Sequence, residues 1–129
     1  MRLHRYLLYF LFFLNLCVVF YIWYSNSGSL LFSKGVLQYA PTSSVLLALG
    51  RIAGLLAVNF VLLQLLLIGR VKWIENVFGL DHLSRAHAIN GKYIIFPLLV
   101  FHVSFILISY SMINKVDIVA QFIDFVFHW

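Results

Sequence analysis

Apolar residues fill three long stretches of this chain, Tyr6 to Tyr24, Ser44 to Ile68 and Lys92 to Ser111, and polar segments separate them. A helix crosses the hydrocarbon core of a bilayer with ~20 apolar residues, and each stretch is of that order. The pattern predicts an all-α membrane protein, a partial helical bundle with three transmembrane helices at about 6–24, 44–68 and 88–111 within a single membrane domain, 1–129. The first run is broken only by Asn15 and follows a short basic start with Arg2 and Arg5. A secretory signal has an apolar region of about 7–15 residues and a small-residue cleavage site. This run is longer and leads into Tyr-Ser-Asn-Ser-Gly, so it reads as a retained helix.

Ser25 to Ser43, with Lys34 and Pro41, reads as a connection lying against the membrane surface. Arg51 stands about two turns inside the second run, from where its long side chain can snorkel outward. From Gly69 to Gly91 the residues turn polar, with Arg70, Lys72, Glu75, Asp81, His82, Arg85 and His87, and a surface loop, partly helical, is expected. Trp73 and Phe78 would anchor it at the interface. The third run carries Pro97, His102, Ser104 and Ser109, and the segment 112–129 is an interfacial tail or the start of a fourth span.

Composition agrees with the pattern: 64% of the 129 residues are hydrophobic and 10% charged, too few charges to solvate a globular surface. The net charge of +5 forms no basic stripe, which argues against nucleic acid as a partner and for membrane lipid. Arg2 and Arg5 flank the first run, and Arg70, Lys72, Arg85 and Lys92 surround the second connection, against Lys34 and Lys115 on the other side. The positive-inside rule then places the amino terminus and the second connection in the cytoplasm. The short connections suggest a bacterial inner membrane. Cys17 has no partner in the chain and reads as core packing.

Of five histidines, His4 and His128 read as solvated or interfacial and His82 as a loop residue. His102 lies inside an apolar helix, where ionisable groups are costly and usually functional. Its alternative role is a neutral imidazole bonded to a neighbouring helix, with Ser104 or Ser109 nearby. His87 precedes it by fifteen positions on the same helix. In a regular helix the two are separated by about 22 Å along the axis and by about 60° around it. Two imidazoles at different depths can each donate one axial bond to a separate haem iron. Zinc would need ligands at closer spacing, such as i and i+4. No phosphate loop, paired carboxylates or catalytic triad stands at usable spacing, so no catalytic residue is assigned.

Leu49-Gly-Arg51-Ile-Ala-Gly54-Leu, then Gln64, Gly69-Arg70-Val-Lys-Trp73-Ile-Glu75, Phe78-Gly79-Leu80-Asp81, and His87 with Gly91 together resemble the ferric reductase-like transmembrane domain, whose members include NADPH oxidases and ferric reductases. The resemblance covers roughly Leu47 to Ile108. It implies a haem-binding domain of six helices in which electrons from NADPH and flavin cross two stacked b haems to ferric iron or oxygen. His87 and His102 match the histidines of the family's third helix, and Arg51 and Arg85 become candidates for the haem propionates. The family usually spaces that pair by thirteen or fourteen positions, against fifteen here; Pro97 permits a kink or one-residue π-bulge that absorbs the difference. The fifth-helix histidines and the FAD and NADPH domains are not in this sequence. They would come from missing helices, a second membrane chain or a flavin reductase subunit, and the chain would be a fragment or a partner-dependent subunit of an oxidoreductase. The competing expectation is a small non-enzymatic three-span protein acting as a packing or interaction subunit.

Overall fold

The computed structural model describes residues 2–32 and 42–128. Lys34 and Pro41, expected in the first connection, lie outside the described residues. The described chain is almost entirely helical, in the order α1 (Arg2–Trp23), a π turn (Tyr24–Gly28), α2 (Ser29–Phe32), α3 (Thr42–Ile68), α4 (Lys72–Phe78), α5 (Leu80–Ile89), a second π segment (Asn90–Ile95), α6 (Phe96–Asn114) and α7 (Ile118–Phe127). Three continuous helical stretches, Leu3–Gly28, Thr42–Ile68 and Leu80–Asn114, are long and apolar enough to cross a membrane. Hydrocarbon offers no partner to a backbone amide, so an apolar run must satisfy its hydrogen bonds within itself, and the helix does this.

Two expected boundaries are corrected. The first helix does not break at Ser25 but continues through the π turn into α2. Its polar residues find partners there: Asn26 donates to the carbonyl of Ile22 at 2.8 Å, and Trp23 covers Gly28 so closely that a Cβ would lie 2.8 Å from the ring. The second connection is not a loop that yields to a helix at residue 88. After the short α4, the helix of the third span begins at Leu80 and runs for 35 residues. At 1.5 Å per residue that is roughly 52 Å, longer than the ~30 Å hydrocarbon core. Its first turns, with exposed Asp81, His82 and Arg85, therefore have room to stand outside it. Gly79 makes the corner between α4 and α5 at φ +82°, a conformation that side-chain-bearing residues rarely adopt.

Specific bonds fix how the helices pair. Near the amino terminus, Arg5 donates to the carbonyl of Val77, and Tyr9 meets Phe78 edge to face at 5.7 Å. The start of α1 and the α4 segment thus share one end of the molecule. At the other end Trp23 Nε1 donates to the carbonyl of Ala48 at 2.8 Å, and Ser109 Oγ donates to the carbonyl of Ser43 at 2.7 Å. Between them Asn59 donates to Asn15. The three long helices therefore alternate in direction.

The main helix pairing is α3 against α6. Gly50, Ala53, Gly54 and Ala57 place small residues along this face of α3, and Gly50, Ala53 and Ala57 are buried. Small residues let two helix backbones approach, which is how helices associate in lipid. Most large apolar side chains on α1 face outward. Cys17, expected in the core, is exposed among them. Beyond α6, Lys115 takes a left-handed conformation and Asp117 caps α7, accepting from the amide of Val119 at 2.9 Å. The ten-residue α7 turns back onto α6 through Tyr110 and Phe125, whose rings meet at 5.4 Å.

Candidate haem groove

An open groove of about 850 Å³ lies between α1, α3 and α6. Its walls are largely apolar, with Val58, Leu62 and Leu99 among the lining residues, while His102, Arg51 and Asn59 supply polar groups. Arg51 is exposed and donates to Ser27 Oγ at 3.1 Å, holding its guanidinium beside the end of the first helix.

The imidazole of His102 is half-buried, and its Nδ1 lies 2.8 Å from the carbonyl oxygen of Gly50. A carbonyl can only accept, so Nδ1 carries the proton. In the neutral ring the lone pair is then on Nε2, the atom a metal would bind. Among the described residues no hydrogen bond engages Nε2. The partner of His102 is the α3 backbone, not Ser104 or Ser109. Gly54 completes the seat, because a Cβ there would lie 2.5 Å from Nδ1. The groove thus combines apolar walls with one imidazole whose Nε2 is unengaged and one guanidinium, a donor set that would suit a flat apolar group bearing a metal and carboxylates.

His87 is placed differently. Gln64 Nε2 donates to the carbonyl of His87 at 3.0 Å and lies 3.2 Å from His87 Nε2. Asn90 Nδ2 donates to Gln64 Oε1 at 2.7 Å and to the carbonyl of Phe60 at 3.0 Å. These bonds fix the Gln64 amide with its NH₂ toward His87, so His87 Nε2 accepts and the proton sits on Nδ1. That Nδ1 is buried without a partner, as is Asn90 Oδ1. As placed, His87 offers no free lone pair, and it does not line the groove.

The two histidines share a helix, and both turn toward α3. The π segment Asn90–Ile95 between them explains this. Phe96 donates to Gly91, five residues back. One residue is thereby absorbed, so fifteen positions behave like about fourteen and the imidazoles differ by about 40° around the axis instead of about 60°. The bulge ends two residues before Pro97, which lacks the amide that a regular turn would use.

The other candidates fall outside the groove. Arg85 is exposed on α5 and does not line it. His82 is on that helix rather than in a loop, exposed and stacked on Phe78 at 6.2 Å. His4 is exposed, and His128 pairs with Asp124 at 3.3 Å on the surface. Among the described residues, no three His, Cys, Asp or Glu side chains gather to hold a bare metal ion. Gly50 and Gly54 acquire a role that periodicity does not reveal; their four-residue spacing in an apolar run was the available signal.

The chain matches no family model, no curated protein and no solved structure.

Proposed function

We propose that this chain is a haem-binding transmembrane electron carrier of the ferric reductase type. The observation that carries the reading is His102, which lines an apolar groove beside Arg51 with Nδ1 committed to Gly50 and Nε2 left to bind iron. Bound there, haem would supply one-electron transfer between ferrous and ferric iron. His102 would hold its iron through Nε2, and Arg51 would pair with a propionate. His87 is the second candidate, for a second b haem in the complete assembly, and serves once Gln64 releases its Nε2. Arg85 would meet a propionate at that level.

Each haem of the complete assembly would be held by two histidines, of which this chain would supply one, His102 for the first and His87 for the second. Further helices or a second membrane chain provide the remaining histidines, and a flavin reductase domain or subunit with FAD and NADPH provides electrons. Ferric iron or oxygen accepts them. The basic residues near the amino terminus and second connection favour the cytoplasm for that end, and the short connections favour a bacterial inner membrane as the location.

A second reading has one observation in its favour. The His102–Gly50 bond also ties α6 to α3, as a packing histidine in a non-enzymatic three-span interaction subunit would. Visible spectra of the purified chain titrated with haem, before and after dithionite, separate the two. The haem reading expects uptake near one haem per chain, lost in His102→Ala. A chain that takes up no haem, or a monomer that holds two low-spin haems, would be incompatible with the ligand assignment.

A further inference from the structure

Nε2 of His102 would bind iron, but the chain controls the ring through the opposite nitrogen. Gly50 and Gly54 stand about one turn apart on α3. At Gly54 an added Cβ would lie 2.5 Å from Nδ1 of His102, 2.7 Å from Cε1 and 3.2 Å from Cγ. These are ring atoms on a short side chain, and alanine at this position must displace the imidazole. At Gly50 an added Cβ would meet Ile106, 2.9 Å from Cδ1 and 3.2 Å from the backbone nitrogen. The two glycines thus bring α3 close enough for the Gly50 carbonyl to receive Nδ1–H at 2.8 Å. A carbonyl oxygen has two lone pairs and can accept this bond in addition to its helical one.

We infer that Gly50 and Gly54 are positioning residues for His102: the space at Gly54 admits the imidazole, and the Gly50 carbonyl fixes it as the Nδ1–H tautomer with Nε2 ready to bind iron. The tautomer follows from geometry alone; its use toward iron rests on the haem reading. Packing alone would account for small residues at the helix contact. The Nδ1 proton is shared by a histidine that only ties α6 to α3, so the haem affinity of Gly54→Ala separates the two roles.

The test is nitrogen NMR of the full chain in lipid nanodiscs with ¹⁵N-labelled histidine, the His102 signals being assigned by their loss in His102→Gln. Before haem is added, the wild type should carry the His102 proton on Nδ1. Gly54→Ala should lose that single tautomer, and its haem affinity should fall about 10- to 100-fold, the usual effect of disturbing a partner behind a metal ligand. Ser109→Ala removes a hydrogen bond to Ser43 elsewhere on α6 and should leave both readouts unchanged. A wild-type proton on Nε2 overturns the inference, and this measurement stands even if Gly54→Ala fails to fold. An unchanged tautomer and haem affinity in Gly54→Ala overturn it too. The expected tautomer, lost in Gly54→Ala, in a chain that takes up no haem would defeat the haem reading while leaving the positioning roles intact.

Discussion

The guanidinium of Arg5 donates through Nε and Nη2 to one acceptor, the carbonyl oxygen of Val77, at 3.0 and 2.9 Å. It also lies over the Phe78 ring, 5.7 Å from the centroid. A basic residue that the charge pattern assigns to topology is therefore also a clamp between the start of the first helix and the α4 segment. Arginine suits this place because its planar fork can address one oxygen with two donors while its face covers an aromatic ring.

Arg5→Ala should loosen α4 without unfolding the bundle. Losing a charge-assisted but partly solvated contact costs about 1 kcal/mol, or roughly a fivefold rise in local opening. Hydrogen exchange of the 72–78 amides should quicken accordingly, with Arg5→Lys intermediate because an ammonium lacks the fork. Unchanged exchange in Arg5→Ala would mean that the clamp is incidental.

The shared end of α1 and α4 gives the topology a sharper test. Val77 is buried, whereas Asn76 beside it is exposed. In a Cys17→Ser background, Asn76→Cys should react only with thiol reagents that enter the cytoplasm, the side on which the positive-inside rule expects that end. Labelling by an impermeant reagent from outside intact cells would reverse the orientation of every helix.

The π segment makes a prediction that needs no cofactor. Deleting Ile94 should restore a regular helix with fourteen positions between the histidines and so keep His87 and His102 about 40° apart around the axis. Cysteines replacing Gln64 and His87 in the Cys17→Ser background should be joined by a short bifunctional thiol reagent in the otherwise unaltered chain. The deletion should keep that link. If the link is lost, the segment does not act as a one-residue bulge.

The three spans were legible in the sequence because hydrocarbon leaves the backbone no other partner; length and apolarity alone specify helices there. His102 stood out for a related reason, as a polar ring in an apolar run. The helix boundaries at Ser25 and residue 88 were not legible, since Tyr-Ser-Asn-Ser-Gly and the polar stretch from Gly69 suit a loop, partly helical in the second case, until Trp23, Arg51, Gln64 and Phe60 supply partners. The sequence by itself determined that His87 and His102 lie on one helix, fifteen residues apart. Only the tertiary structure decided that His102 faces a groove with Nε2 free while His87 is held by Gln64. The physical reason is that a ring nitrogen takes its proton according to its neighbour, and those neighbours, the Gly50 carbonyl and the Gln64 amide, belong to another helix 52 and 23 positions away.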